Sequence, residues 1–222
     1  MVTFLTALSG LAWTIVYIDS IRIGFRQRTY AMPLVALALN IGWEWIYGVH
    51  GLLDGVSLQG VVNVVWALAD AVIVYTFLRF GRRELPDFLS GAMFAAFSVL
   101  VFATGFVVQW LFVVEFDWHL ASRYSAFLQN LLMSGLFIAM FAARRGVRGQ
   151  TMLIAVAKWI GTLAPTIVFG AYEHSAFILT LGIGCSVFDL TYIGLLWWAR
   201  RQPGMGAAAP TTVEPAPAVA VN

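Results

Sequence analysis

Long apolar stretches separated by short charged segments dominate this sequence. Seven such runs lie at residues 3–20, 31–49, 59–78, 88–112, 123–143, 150–170 and 176–198. Each is near the ~20 residues that a helix needs to cross ~30 Å of hydrocarbon. A helix satisfies its own backbone hydrogen bonds, so runs of this length predict membrane-spanning helices. The pattern predicts an all-α, seven-transmembrane-helix bundle over residues 1–201, followed by a disordered Ala- and Pro-rich tail over 202–222.

Composition and charge agree with a membrane protein. The chain is 61% hydrophobic and 11% charged, whereas soluble domains are about 45–50% apolar and about 25% charged. By the positive-inside rule, the placement of arginine predicts an external N-terminus and a cytoplasmic C-terminus. We expect the lipid bilayer as a partner and no nucleic acid. Alternate loops carry 11 of the 13 basic residues: Arg22, Arg26, Arg28, Arg79, Arg82, Arg83, Arg144, Arg145, Arg148, Arg200 and Arg201.

The second apolar run carries a polar stripe. Asn40, Trp43, Glu44 and Tyr47 follow i, i+3, i+4 and i+7 spacing, so they share one face of a helix. A charge at the centre of a membrane helix costs roughly 2.5–3.5 kcal/mol on insertion scales, and such residues usually face the interior of a bundle. The stripe therefore predicts a functional site around Glu44.

Polar groups in other runs fall at a similar depth. Counting about 1.5 Å per residue from the arginine-rich loops places Glu44 about 20 Å deep and Asp70, Lys158 and Asp189 about 12–14 Å deep. We therefore expect one central layer and a shared cavity. Its members outside the second run are Asp70 in the third, Gln129 and Asn130 in the fifth, Lys158 in the sixth, and Asp189 in the seventh.

The layer holds three acids and one lysine. Burial disfavours the charged form of a carboxyl group, and a nearby like charge disfavours it further. Lys158 can hold one carboxylate ionised, which leaves the others inclined to stay protonated. A neutral carboxylic acid in a buried site is a candidate proton donor. Aromatic rings in the same runs offer π-faces that attract cations.

Several other functions fit part of the pattern. A proton-coupled transporter also uses intramembrane acids, but the chain has no internal repeat of the kind found in many transporters. A retinal photoreceptor is expected to carry its lysine in the last span, whereas Lys158 lies in the sixth. A scaffold would not need buried acids. His50, His119 and His174 lack ligand spacing, so we expect no metal site.

Four motifs, in order along the chain, resemble the integral-membrane terpene cyclases of fungal meroterpenoid and paspaline-type indole-diterpene pathways. They are Asn40-Ile41-Gly42-Trp43-Glu44-Trp45-Ile46-Tyr47, Gln129-Asn130-Leu131, Lys158-Trp159-Ile160-Gly161-Thr162 and Phe188-Asp189-Leu190-Thr191-Tyr192.

This resemblance implies a cyclase that uses no metal or cofactor. It would protonate an epoxide or alkene of a lipophilic prenylated isoprenoid, with Glu44 and Asp189 as the catalytic acid/base pair. Asn40 and Tyr192 would orient these carboxyls. The short loops and Ala/Arg-rich composition indicate a bacterial cytoplasmic membrane. The substrate and the oligomeric state stay open. The expected substrate-binding residues are Asn40, Trp43, Tyr47, Trp66, Asp70, Gln129, Asn130, Lys158, Trp159 and Tyr192.

Overall fold

The computed structural model describes residues 1–55, 57–86 and 88–202. The expected disordered tail lies, apart from its first residue, outside the described residues. The described part of the chain is all-α. Its seven α-helices are α1 (Val2–Gln27), α2 (Leu34–Leu53), α3 (Leu58–Phe80), α4 (Gly91–Glu115), α5 (Trp118–Arg144), α6 (Met152–Pro165) and α7 (Ala176–Ala199).

Polar caps fix where most of these helices begin. Helices α3 to α7 each start after a Ser, Thr or Asp whose side-chain oxygen accepts a backbone N–H of the first turn. Such caps satisfy donors that the helix itself leaves unpaired. Helix α6 ends at Pro165 and continues as a π-helical segment, Thr166–Tyr172. Proline lacks the N–H that a regular α-helix needs, which accounts for the change at this point.

Six of the helices pack into a closed ring. Neighbouring pairs around the ring are α1 with α3, α3 with α2, α2 with α5, α5 with α7, α7 with α6, and α6 with α1. Helix α4 lies outside the ring against α2 and α5.

Small residues let α4 approach α2 closely. A Cβ atom built on Gly105 would lie 2.6 Å from the carbonyl carbon of Ala38, and one built on Gly42 would lie 3.3 Å from the carbonyl oxygen of Gly105. Close backbone approach at small residues is a common source of packing energy between membrane helices. This contact fixes the position of α2, the helix that carries Glu44.

By length and composition, six helices could cross a membrane: α1, α3, α4, α5, α6 with its π-helical extension, and α7. Helix α2 is not among them, although the sequence pattern predicts a span there. Its 20 residues are long enough, but Asn40, Glu44 and His50 lower its mean hydropathy. The polar side chains that make α2 a candidate for a functional site also lower its hydropathy below that of a typical membrane span.

Three arginine-rich connections meet at one end of the bundle. Glu84, after α3, accepts hydrogen bonds from Thr29, after α1 (2.8 Å), and from Arg148, after α5 (2.9 Å). Arg144 donates to the backbone carbonyl of Tyr30 at 3.0 Å. We call these contacts the Glu84 clamp. The opposite end carries an ion pair between Arg123 and Glu173.

Candidate functional site

Glu44 lies in a buried hydrogen-bond network that joins α1, α2 and α3. The hydroxyl of Tyr17 donates to Glu44 Oε1 at 3.2 Å. The amide nitrogen of Asn40 donates both to Tyr17 Oη at 2.6 Å and to Asp70 Oδ2 at 2.8 Å. All four side chains are buried, with Glu44 only 4% exposed. The network therefore holds two carboxyl groups away from solvent, linked through a tyrosine and an amide.

Two glutamines extend this arrangement to α4 and α5. Gln129 Nε2 donates to Asn40 Oδ1 at 3.3 Å. Gln109 Nε2 donates to Gln129 Oε1 at 2.6 Å and to the carbonyl oxygen of Leu39 at 3.2 Å. We use the name Glu44 network for Tyr17, Asn40, Glu44, Asp70, Gln109 and Gln129.

Each carboxyl group in the Glu44 network has one oxygen without a hydrogen-bond partner among the described residues. Glu44 Oε2 and Asp70 Oδ1 are buried and have no hydrogen-bond partner among the described residues. Within those residues no salt bridge reaches either group. Buried polar atoms are normally hydrogen-bonded, so open ones are candidates for contact with a substrate. The chemistry available here is proton donation or acceptance by a carboxyl.

Asp189 has different surroundings. Its two carboxylate oxygens lie 2.9 and 3.0 Å from Lys158 Nζ, which also donates to Ser134 Oγ at 2.7 Å. Lys158 and Asp189 are each 1% exposed. Helices α5, α6 and α7 thus meet at a buried ion pair, which sequence reasoning anticipated only as the pairing of the lysine with some acid.

The polar residues predicted to share one layer fall into two groups. In the described ranges, no hydrogen bond or salt bridge joins the Glu44 network to the Lys158–Asp189 pair. Counting residues gives depth along the bundle but not direction around it. Glu44 points toward α1 and α3, whereas Asp189 points toward α6.

The predicted aromatic residues of α2 and α3 also lie in two places. Trp66 stacks on Tyr17, the residue that donates to Glu44, with a centroid separation of 5.7 Å. Trp43 and Tyr47 pack on each other at 5.0 Å. Trp43 Nε1 donates to the carbonyl oxygen of Ser122 on α5 at 3.0 Å. The α2 stripe therefore splits, with its polar members toward α1 and α3 and its rings toward α5.

Three further predicted residues make no hydrogen bond to either group. The Tyr192 hydroxyl donates to Gln150 Oε1 at 2.9 Å. In the described residues it makes no hydrogen bond to Asp189, because its oxygen is directed toward the arginine-rich end of α7. Asn130 Nδ2 donates to the carbonyl oxygen of Ala126 on its own helix. Asn130 Oδ1 and Trp159 Nε1 are buried without a partner in the described chain.

Tyr17 and Gln109 are members of the network that sequence reasoning did not place there. Tyr17 shares a helical stripe with Trp13 and Ser9, and that stripe was the available signal. Tyrosine is common near the membrane–water interface, so the stripe alone does not identify Tyr17 as a site residue. Asn40 acts on Glu44 through Tyr17 and not directly.

Two cavities open elsewhere on the molecule. One of about 640 Å³ lies at the arginine-rich end and includes Asp19, Arg22, Arg26 and Arg200 in its wall. One of about 350 Å³ lies on the far side of α2 from Glu44 and includes Trp45, His50, Trp110 and Trp118. Neither is lined by Glu44 or Asp189. Over the described ranges, no three His, Cys, Asp or Glu side chains cluster as a metal site would need.

A sequence profile of the Pyr4-like transmembrane terpene cyclases matches residues 1–202. The chain belongs to this family. The resemblance drawn from the four motifs is thereby confirmed, and the family together with the apolar helices identifies an integral membrane protein.

Individual members of the terpene cyclase family match over most of their length. The chain is 31% identical over 196 residues to Pyr4-family terpene cyclase mfmH of Annulohypoxylon moriforme, covering 83% of this chain and 80% of that protein. It is 26% identical over 216 residues to terpene cyclase pyr4 of Aspergillus fumigatus, covering 87% and 84%. No solved structure gives a significant match. Both relatives are fungal, so they lend no support to the expected bacterial membrane.

Proposed function

We propose that this chain is a membrane-embedded terpene cyclase that begins ring formation by protonating an epoxide or alkene of a lipophilic prenylated isoprenoid. The observation that carries the proposal is the buried carboxyl of Glu44, held by Tyr17 with its other oxygen open, in a member of a terpene cyclase family. Desolvation without a cation favours the neutral acid. A neutral carboxylic acid is the donor that this chemistry needs.

The two acids named by the family motifs receive different roles. Lys158 compensates the charge of Asp189, so we assign Asp189 the ionised state and Glu44 the first proton donation. The O–H bond of Glu44 breaks, its electron pair stays on the carboxylate, and the proton bonds to the epoxide oxygen or an alkene carbon. A C–H proton of the final carbocation then passes to a base and leaves an alkene. Asp189 is the ionised carboxylate that we propose as this base.

Aromatic rings would stabilise the migrating positive charge. Trp66 stacks on Tyr17, which donates to Glu44, and the Trp43–Tyr47 pair lies on the neighbouring side of α2. A cation over an aromatic face gains up to about 2 kcal/mol when both are desolvated. A dry interior also keeps water from capturing the cation early. The proposed mechanism uses no metal and no cofactor.

We further propose that α2 is a seventh span, with the N-terminus outside and the C-terminus in the cytoplasm. The Glu84 clamp supports this topology because it joins the connections after α1, α3 and α5 at one end. Consecutive helices must then run in opposite directions. These connections hold most of the arginines, which the positive-inside rule assigns to the cytoplasmic side.

The test is product formation in microsomes supplied with epoxidised prenylated substrates and analysed by mass spectrometry. Glu44→Gln and Asp189→Asn should each abolish most product. Asp54→Asn is the control, because Asp54 is an exposed acid at the end of the same helix as Glu44. Near-normal yield from both site variants would refute the acid/base assignment. Solute uptake in proteoliposomes without conversion of any isoprenoid would favour the transporter alternative.

A further inference from the structure

The hydrogen bonds around Tyr17 run in one direction. A side-chain amide nitrogen can only donate, so Tyr17 Oη must accept the bond from Asn40 Nδ2. The Tyr17 hydroxyl has one proton, and it donates this proton to Glu44 Oε1. Tyr17 therefore links Asn40 to one chosen oxygen of Glu44.

The glutamines fix this direction. Gln129 Nε2 donates to Asn40 Oδ1, so the amide oxygen of Asn40 faces α5 and its nitrogen faces Tyr17 and Asp70. Gln109 in turn holds Gln129 in the orientation that presents its nitrogen to Asn40. Each bond in the series from Gln109 to Glu44 has its donor on the same side. If one amide were flipped, two hydrogen-bond donors or two acceptors would face each other in the buried interior.

The two oxygens of Glu44 consequently differ. Oε1 accepts the Tyr17 hydroxyl, whereas Oε2 has no partner among the described residues. In a neutral carboxylic acid, the oxygen that accepts a hydrogen bond is favoured as the carbonyl oxygen, and the other carries the proton. We propose that Tyr17 is a positioning residue that directs the transferable proton of Glu44 onto Oε2. This inference rests on the proposed function for its catalytic consequence.

Proton transfer strengthens the same contact. When the Oε2–H bond breaks, the electron pair stays on Glu44 and the proton bonds to the substrate. The carboxylate left behind accepts a stronger bond from Tyr17, because hydrogen bonds to charged acceptors are about twice as strong as neutral ones. The stack of Trp66 on the Tyr17 ring keeps the hydroxyl aimed during this change. The hydrogen bond from Tyr17 thus stabilises Glu44 more after the proton transfer than before it.

Infrared spectroscopy of purified protein in nanodiscs tests the contact without any substrate. Glu44→Gln should remove one C=O stretching band of a protonated carboxyl. Tyr17→Phe should shift that band to higher frequency, because its carbonyl loses a donor. Absence of the band in the wild-type protein, or a band that Tyr17→Phe leaves in place, would overturn the inference. Either result is independent of whether the chain cyclises a terpenoid.

Kinetics test the consequence for catalysis. Tyr17→Phe should lower kcat by about 10- to 100-fold, the range expected for one lost hydrogen bond to a charged group, with little change in KM. The solvent deuterium isotope effect on kcat should rise, because proton transfer becomes more rate-limiting. A loss confined to KM, or activity within about twofold of the control, would refute a positioning role.

The matched control is Tyr30→Phe. Tyr30 packs edge-to-face on Phe77 and under the Arg144 guanidinium at the arginine-rich end, away from Glu44. Thermal unfolding of both variants in nanodiscs separates loss of fold from loss of positioning. If Tyr17→Phe does not fold, Asn40→Ala tests the same series. It removes the donor that orients the Tyr17 hydroxyl and should also shift the Glu44 band; an unshifted band would contradict the proposal.

Discussion

Lys158 Nζ contacts both carboxylate oxygens of Asp189, at 2.9 and 3.0 Å, where α6 meets α7 inside the bundle. This pair uses the only lysine in the chain. Glu44 and Asp70 are therefore left without an ammonium partner. One contact thus separates the three acids of the predicted central layer into one with a compensating charge and two without.

Removal of the lysine should destabilise the fold. Lys158→Met leaves Asp189 buried and unpaired, and breaking a buried pair in this way typically costs about 3–5 kcal/mol. Adding Asp189→Asn removes the uncompensated charge and should recover part of the loss. Thermal unfolding in one detergent compares the two variants with the wild type. An unfolding temperature of Lys158→Met equal to that of the wild type would contradict this reading of the pair.

The two carboxyls of the Glu44 network should differ in their effect on turnover. Glu44→Gln removes the proposed donor and should lower product formation by about 10²- to 10⁴-fold, the usual range for a general acid. Asp70→Asn keeps an oxygen that can accept the Asn40 bond, so a smaller loss is expected. Product is quantified by mass spectrometry per amount of folded protein. A larger loss from Asp70→Asn would make Asp70 the donor.

Close packing of α4 on α2 should make Gly105 intolerant of a side chain. Gly105→Ala places a methyl group against the Ala38 backbone, and overpacking of this kind typically costs about 1–3 kcal/mol. Gly135→Ala on α5 is the control, because a Cβ there would meet nothing within 4 Å. Unfolding temperatures of the two variants provide the comparison. Equal temperatures would show that α4 can move away without cost.

Topology can be tested with reporters at the two termini. A fluorescent protein fused after Asn222 should fold and fluoresce in the cytoplasm. A glycosylation site placed before Met1 should be modified if the N-terminus faces the lumen of the secretory pathway. Six spans instead of seven would bring both termini to the same side. An unglycosylated N-terminus together with a fluorescent C-terminus would therefore refute the proposed seventh span.

Most of the helical framework was predictable from the positions and lengths of the apolar runs. The run at residues 176–198 corresponds closely to α7 (Ala176–Ala199). The run at 3–20 underestimates α1, which continues to Gln27. Asp19 and Arg22 end the apolar pattern but form an ion pair within the helix, with Asp19 buried, so the helix itself does not stop there.

The candidate site was predictable in its residue types but not in its partners. Cost arguments single out Glu44 and Asp189 because buried acids are rare. They do not indicate which acid pairs with Lys158, because the pairing depends on which face of its helix each acid occupies. Tyr17 was not predicted as a site residue, because its role depends on contacts with Asn40 and Glu44 of another helix. Contacts between helices arise from packing angles that the spacing within one helix does not contain.

The Glu84 clamp has a consequence for how a bulky lipid reaches the interior. It ties three inter-helix connections together through charged side chains, and breaking it would expose several polar groups at once. The opposite end has the exposed Arg123–Glu173 pair, which is of the kind that contributes little to stability. Helices tied by several charged contacts at one end are expected to spread more easily at the other end. We therefore expect isoprenoid chains to slip between the helices from the leaflet farthest from Glu84.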